Sequence, residues 1–205
     1  MGYFPFFIDI KDKSCLIVGG GRVALRKAQK LLPYEPRITV VASEICDEIS
    51  ILGVSMVKRA FRADDLDGRF MCIAATEDSS VNHRIFKLCT DRGILVNSVD
   101  DIENCGFVFP SLVKRGDISI GISTSGSAPA FAKHLRSKTE SLLDEHTLEI
   151  AELIKSVRPR LKAELDSEPQ RARAADELIK LCISSGSLPN EDSISVLLER
   201  IRHEG

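Results

Sequence analysis

The stretch CLIVGGGRVALRKAQKLL, from Cys15 to Leu32, decides the fold class of this chain. It begins with an apolar run that is typical of a strand buried on both faces. Three glycines follow, and apolar residues then recur at helical spacing. A strand, a glycine turn and a helix in this order are typical of a dinucleotide-binding unit.

The glycine turn fits the pattern G-x-G-x-x-A at Gly19, Gly21 and Ala24. Gly19 permits a tight turn, Gly21 lets the backbone approach a pyrophosphate, and Ala24 lets the helix pack closely on the sheet. The N-terminus of the helix offers free N–H groups and a positive dipole end to phosphates. We therefore predict that Gly19 and Gly21 bind a cofactor, with a ligand-free turn as the alternative.

Composition narrows the class of protein. The chain has 205 residues and a formal net charge of −2, which argues against a broad nucleic-acid interface. No apolar run approaches the ~20 residues that cross a bilayer, and the first residues lack the basic region of a signal peptide. Six cysteines and four histidines are scattered without metal-ligand spacing. We expect a cytoplasmic protein with no metal site and no nucleic-acid or membrane partner.

Strand and helix patterns alternate through the first half of the chain, which predicts a parallel sheet with right-handed crossovers. The predicted helix SSVNHRIFKLCTDRG takes Ser79 or Ser80 as its N-cap and ends before Gly93. A short helical turn is predicted at RADDLDG. The further predicted strands are RITVVA (37–42), VSMVKR (54–59), FMCIAAT (70–76) and ILVNSVDD (94–101).

A different pattern begins near residue 106. Two apolar runs flank KRGD, which predicts a hairpin, and Pro110 indicates an edge or irregular position in the first run. The remainder reads as helices separated by Pro159, Pro169 and Pro189. We place the domain boundary near residues 112–125.

The end of the second strand favours NAD over NADP. The acid that usually binds the ribose is displaced: Ser43 stands near its place and Glu44 follows one step later. No Lys or Arg lies within 38–56, and three acids there would repel a 2′-phosphate.

Polar residues also follow the fourth and fifth strands, where parallel sheets bind ligands. Ala75 and Thr76 are predicted to lie beneath the cofactor, although a helix-capping turn is the alternative for the serines that follow. In NSVDD, Asn97 is predicted to bind the cofactor, and together with the two aspartates it falls where substrate chemistry is expected. A carboxylate there can orient a substrate or take a proton, with a solvated loop acid as the alternative.

A third cluster, STSGSAP, precedes a predicted helix with Pro129 in its first turn, after Ser127 or Ala128. Hydroxyl and N–H groups at a helix start suit carboxylates or phosphates, and capping alone is the alternative. The predicted substrate-binding residues are Ser123, Thr124, Ser125 and Gly126.

Taken in order, FPFFIDIKDKSCLIVGGGRVALRKAQKLL, AATEDSSVN, NSVDD and FVFPSLVKRGDISIGISTSGSAPAFAKHLR resemble the precorrin-2 dehydrogenase family, the N-terminal module of siroheme synthases. The resemblance covers about residues 1–145. It implies NAD-dependent oxidation of precorrin-2 to sirohydrochlorin by a homodimer, and in some members insertion of Fe²⁺. It implies that Asp100, and not Asp101, is the functional aspartate.

The resemblance also implies cofactor contacts at Arg22 and Val23, and at Ser43 and Glu44. It divides an α/β fold into a Rossmann-type NAD-binding domain (1–113), a small strand-containing dimerisation and substrate-cleft segment (114–145) and a helical C-terminal domain (146–205). The chain departs from the family at Thr124–Gly126, where many members have S-G-G or D-G.

Cations are candidate partners for the substrate's carboxylates. Arg22 is one of them, and Lys133, His134 and Arg136 are three more, with a solvated helix face as their alternative. A rival function is a regulatory NAD-sensing module without catalysis. A nickel or cobalt metallochaperone is less favoured, because the Cys and His residues are scattered.

Overall fold

The computed structural model describes residues 4–99 and 105–204. The chain divides into two compact units, of which one ends at Pro110 and the other begins at Ser111. The finer three-part division inferred from the sequence stays a prediction.

The first unit is built on a parallel sheet of five strands in the order β3-β2-β1-β4-β5. The central strand β1 is fully apolar after its first residue and buried, because helices cover both faces of the sheet. The chain order reverses between β1 and β4, which is where open α/β sheets form their ligand crevice. The strands are β1 (Ser14–Val18), β2 (Arg37–Ala42), β3 (Ser55–Lys58), β4 (Met71–Ala74) and β5 (Leu95–Ser98). The predicted α/β class is confirmed.

Three helices flank this sheet: α1 (Arg22–Leu31), α2 (Asp47–Ser50) and α3 (Ser79–Asp91). Alternate residues of β1 face opposite sides, so Ile17 packs in the core with α1 and Leu16 packs in the core with α3. Short 3₁₀ turns occupy Leu32–Tyr34 and Ala63–Leu66, the second at the predicted helical turn. The one-turn helix α2 was not predicted.

The second unit begins with the predicted hairpin, in which β6 (Ser111–Arg115) pairs antiparallel with β7 (Ile118–Ile122). Pro110 lies just outside β6. Four helices follow: α4 (Pro129–Leu142), α5 (Glu145–Glu164), α6 (Glu168–Ser185) and α7 (Glu191–His203). Helix α4 packs against β6, and α5 to α7 share a core of leucine, isoleucine, valine and alanine side chains.

Two local predictions are wrong. The N-cap of α3 is Asp78, not Ser79 or Ser80, because its carboxylate accepts from the backbone N–H of Ser80 at 2.8 Å and of Val81 at 3.3 Å. Pro159 does not separate helices but lies inside α5. The helix continues past it because Val157 and Leu161, on either side, are buried in the helical core. Pro169, in contrast, does lie where one helix ends and the next begins, in the first turn of α6.

Candidate functional site

The first two glycines of the glycine turn are required by neighbouring loops. Gly19 has φ of +124°, and a Cβ there would lie 2.2 Å from the carbonyl oxygen of Ala75. A Cβ at Gly20 would lie 1.9 Å from the carbonyl oxygen of Glu44. Gly20 was not singled out from the sequence, because the dinucleotide pattern leaves that position open. Its need for glycine comes from a loop more than twenty residues away.

Gly21 differs from both. Within the described residues, no atom outside its own turn would lie within 4 Å of an added Cβ, and its φ is −90°. Gly21 is the N-cap of α1, where no described side chain caps the helix and no acid stands in the first turn. The helix N-terminus is therefore open, and its N–H groups and dipole suit an anion. Arg22 is exposed and Val23 half-buried beside it.

Backbone hydrogen bonds fix the loops around the turn, at the carboxyl end of the sheet. They tie the glycine turn to β2 and its loop, and the loops after β4 and β5 to the strands beside them. The bonds are Gly19 N to Val41 O (2.9 Å), Cys46 N to Gly20 O (2.9 Å), Ala75 N to Val18 O (2.7 Å) and Val99 N to Ala74 O (2.9 Å). The turn is thus held by its surroundings and not by its own side chains.

The predicted ribose position lies directly after β2. Ser43 and Glu44 are both exposed there. The register places Lys58, an exposed residue of the edge strand β3, alongside Ala42. A cation therefore does stand at this end of the sheet, two residues beyond the stretch 38–56 that contains none.

Thr76 is clasped by a residue that sequence reasoning missed. The Thr76 hydroxyl lies 2.7 Å from Asn82 Oδ1, and the Asn82 amide donates to the Thr76 carbonyl at 2.9 Å. Asn82 is buried on the face of α3 that also carries Ile85 and Cys89. This position is the sequence signal that could have identified Asn82, because an amide on an otherwise apolar helix face requires a hydrogen-bond partner. The Thr76 oxygen still has lone pairs that can accept from a ligand.

Asn97 is buried at the end of β5, with both ends of its amide engaged. Its Oδ1 accepts from Lys27 Nζ at 3.0 Å, and its Nδ2 donates to the Phe107 carbonyl at 3.0 Å. Lys27 was not singled out from the sequence, which gives no sign of a contact across 70 residues. The predicted catalytic Asp100 and its neighbour Asp101 lie outside the described residues.

The Ser123–Ser127 loop is bonded largely to itself. Ser123 Oγ accepts from the N–H of Ser125 at 3.1 Å, and Thr124 Oγ1 accepts from the N–H of Ala128 at 3.3 Å. Ser125 has φ of +53° and, like Gly126, is exposed. Ala128 is the N-cap of α4, and Pro129 occupies the first turn as predicted.

The candidate cations on α4 differ in their surroundings. Lys133 and His134 are exposed, and the His134 ring stacks on Phe131 with centroids 6.4 Å apart. Arg136 instead donates to Glu140 at 2.8 Å. Glu140 therefore competes with any ligand for Arg136, which is the half-buried member of these three candidates.

The pKa shifts of two groups beside the sheet, Asp78 and Cys15, follow from hydrogen bonding within the fold and from burial. Hydrogen bonds from the Ser80 hydroxyl and from the N–H groups of Val81 and Ser80 lower the pKa of Asp78. Burial raises the pKa of the Cys15 thiol to about 11. Across residues 4–99 and 105–204, no three Cys, His, Asp or Glu side chains converge on a possible metal position. No helix in these ranges is long and apolar enough to span a membrane.

Comparisons with known proteins identify the family and the fold. Residues 6–111 match a family described as putative NAD(P)-binding, and residues 115–141 match the sirohaem biosynthesis protein central family. The siroheme synthase of Thioalkalivibrio sulfidiphilus is 39% identical over 184 residues, covering 88% of this chain and 38% of that protein. The siroheme synthase of Neisseria meningitidis is 39% identical over 177 residues, covering 84% and 37%.

These curated relatives are much longer than the matched region, since the chain spans about 38% of the length of the first of them. A solved structure, SirC, precorrin-2 dehydrogenase, has a TM-score of 0.74 over 97% of this chain and 98% of that one. Its sequence identity is 24%, so the likeness shows a shared fold.

Proposed function

This chain belongs to the siroheme synthase family of NAD(P)-binding proteins, and from that premise we propose that it is an NAD-dependent dehydrogenase that oxidises precorrin-2 to sirohydrochlorin in siroheme biosynthesis. The observation that carries the proposal is the open N-terminus of α1 at Gly21. An added Cβ would extend there into space that no described residue outside the turn occupies, which is where the backbone must approach a pyrophosphate.

The residues at this edge of the sheet fit a dinucleotide. The N–H groups of Arg22 and Val23, at the start of α1, would hold the pyrophosphate. Ser43 and Glu44 would bind the adenosine ribose, and Ala75, Thr76 and Asn97 would line the far half. Both ends of the Asn97 amide are already hydrogen-bonded within the protein. We therefore propose that Asn97 packs beside the cofactor and does not hydrogen-bond to it.

The oxidation removes two hydrogens from the substrate. One of them would leave as hydride to a bound NAD⁺, which would supply the oxidising power, and the other would leave as a proton. We propose that the Asp100 carboxylate takes this proton as general base. Asp100 follows Val99, whose N–H is bonded to Ala74 O at the carboxyl end of β4.

The substrate carries many carboxylates, and the second unit offers a loop suited to them. We propose that Ser123, Thr124, Ser125 and Gly126 bind them. The hydroxyls of Ser123 and Thr124 already accept from the loop's own N–H groups, so Ser125 and Gly126, exposed at its tip, would make the direct contacts.

We further propose that the protein acts as a homodimer in the cytoplasm, and that Fe²⁺ is a second substrate where the same aspartate serves chelation. Sedimentation equilibrium measures the first point directly. A monomer at micromolar concentration would contradict it. Formation of siroheme from sirohydrochlorin and Fe²⁺ measures the chelatase step.

The central experiment mixes the protein with precorrin-2 and NAD⁺ under anaerobic conditions and follows NADH and sirohydrochlorin by absorbance. We expect equal amounts of the two products. Asp100→Asn should lower the rate by about 10²–10⁴-fold, the usual contribution of a general base. Asp101→Asn makes the same charge change one residue away and is expected to retain activity. Tight NAD⁺ binding without any NADH would favour the regulatory NAD-sensing module instead.

A further inference from the structure

Two exposed side chains of opposite charge stand near the predicted ribose position: Glu44, in the loop after β2, and Lys58, the last residue of β3. Among the residues that the structure describes, neither side chain has a hydrogen-bond or ion-pair partner. Arg59, the next residue, differs, because its guanidinium is bound by the Asp65 carboxylate at 2.6 and 2.8 Å. The charges of Glu44 and Lys58 are therefore both available to a ligand.

The backbone that carries Glu44 is fixed against the glycine turn. An added Cβ at Gly20 would lie 1.9 Å from the Glu44 carbonyl oxygen, so the two segments are in close contact. Two residues on, Cys46 donates its N–H to the Gly20 carbonyl at 2.9 Å. The acid is thus attached at a constant place relative to the N-terminus of α1, where we propose that the pyrophosphate binds.

Strand pairing places Lys58 at the same edge of the sheet. The register sets it alongside Ala42, at which β2 ends, two residues before Glu44. Val57 packs in the core that includes side chains of α3, so Lys58, the next residue of the strand, faces the opposite side of the sheet. That side is the one that α1 and α2 cover. Lys58 therefore shares an edge and a face of the sheet with the start of α1.

The two nicotinamide dinucleotides differ only at the 2′ position of the adenosine ribose. NAD has a hydroxyl there, which donates to a carboxylate. NADP has a phosphate, with a charge of about −1.5 to −2 at pH 7, which a carboxylate repels and a cation attracts. Lysine binds phosphate as a point charge and needs no exact geometry to do so. One acid and one cation at this position therefore act in opposite directions on the choice of cofactor.

We propose that Glu44 and Lys58 together determine which dinucleotide the protein prefers. Glu44 selects NAD, because it accepts from the 2′-hydroxyl and repels a 2′-phosphate, and Lys58 is the cation that a 2′-phosphate would meet. The proposal rests on the cofactor site of the proposed function. Its consequence is that the exclusion of NADP depends on one carboxylate, and that a site without this carboxylate accepts NADP through Lys58.

Two other arrangements predict different results. If the summed negative charge of this loop and α2 excluded NADP, Glu48, in the first turn of α2, would matter as much as Glu44. If Lys58 were only a solvated surface residue, its removal would leave the relative affinity for the two dinucleotides unchanged.

The test measures the Kd values of NAD⁺ and NADP⁺ by calorimetry for the wild type, Glu44→Gln, Lys58→Met and the double variant. We expect the wild type to bind NAD⁺ more tightly. Glu44→Gln should raise the affinity for NADP⁺ relative to NAD⁺ by about tenfold or more, since it removes a like charge from beside the phosphate. Adding Lys58→Met should remove most of this gain, and high salt should reduce it.

The matched controls are Glu48→Gln and Arg62→Met, each of which removes a charge of the same sign from an exposed position four residues on. Both should keep the ratio of the two affinities within about threefold of the wild-type ratio, because exposed charges farther from the phosphate are screened.

Three results would each overturn the proposal: an unchanged ratio in Glu44→Gln, a double variant that keeps the full gain, or a control that shifts the ratio as much as the residue it is matched to. A protein that shows the expected ratios but forms no NADH from precorrin-2 and NAD⁺ would contradict the proposed dehydrogenation alone. A protein that binds neither dinucleotide would contradict both.

Discussion

Two junctions in this molecule lead from a polar loop into a helix, and they are built in opposite ways. Gly19–Gly21 is held from outside, because the carbonyls of Ala75 and Glu44 leave no room for side chains at its first two positions. Ser123–Ser127 is held from inside, by hydroxyls that bond to the loop's own backbone. The first leaves the helix N-terminus open to a ligand, whereas the second already uses much of its hydrogen-bonding capacity.

The largest expected effect is a difference in the free energy of unfolding between variants of two glycines in the first junction. Gly20→Ala should lower the free energy of unfolding by about 1–3 kcal/mol, because its Cβ would meet the Glu44 backbone and one of the two loops must move. Gly21→Ala, with open space at its Cβ, is the matched control. Urea unfolding measures both. Equal stability of the two variants would show that the turn is not held from outside.

The next effect concerns the loop that presses on Gly19. Asn82→Ala removes the partner of the Thr76 hydroxyl and carbonyl, so we expect a loss of about 1–3 kcal/mol of unfolding free energy. His83→Ala changes the next residue of α3, which is exposed, and should be nearly neutral. Equal melting temperatures for the two variants would show that the hydrogen bonds between Asn82 and Thr76 do not stabilise the fold.

A smaller effect is expected at the second junction. Thr124→Val keeps the shape of the side chain but removes the acceptor of the Ala128 N–H, which should cost about 0.5–1.5 kcal/mol. Thr124→Ser keeps the hydroxyl and should restore the stability. Chemical denaturation of the pair measures this difference. The contrast with the first junction would be lost if Val and Ser behaved alike.

The smallest expected effect concerns how stability depends on pH, and it is tested at one carboxylate from each unit. Hydrogen bonds from Arg59 lower the pKa of Asp65, and hydrogen bonding to Lys155 lowers that of Asp117. A pKa below its unfolded value of about 3.8 means that each pair stabilises the fold at neutral pH and that this stabilisation fades as the pH falls through the folded value.

Asp65→Asn should therefore reduce stability at pH 7 and flatten its decline in acid. Asp117→Asn should do so less, because its pair with Lys155 is exposed and screened by salt. Unfolding measured from neutral pH to about pH 3 tests both variants. A larger effect at Asp117 would contradict this ranking.

The features that could be predicted from the sequence are those that depend on residues close together in the chain. The five strands and the glycine turn follow from apolar periodicity and from turn chemistry, which are local signals. The N-cap of α3 was missed by one residue because Asp78 and the serines after it are all good capping types. Pro159 was misread because a local helix breaker was outweighed by the burial of Val157 and Leu161 in the helical core.

Much of the candidate site depends on contacts between distant parts of the chain. The requirement for glycine at position 20 comes from the loop after β2, and Lys27 meets Asn97 across 70 residues. The sequence alone does not place Lys58 beside Ala42, because their proximity follows from the pairing of β3 with β2. Such contacts have no periodicity and become visible only once the strand order is known.

The most direct test of the central claim is a calorimetric titration of wild type and Gly21→Ala with NAD⁺. The claim is that the cofactor's pyrophosphate lies against the backbone at Gly21, so the added methyl group should weaken binding by about tenfold or more while unfolding stays unchanged. A Gly21→Ala protein that binds NAD⁺ as tightly as the wild type would contradict it.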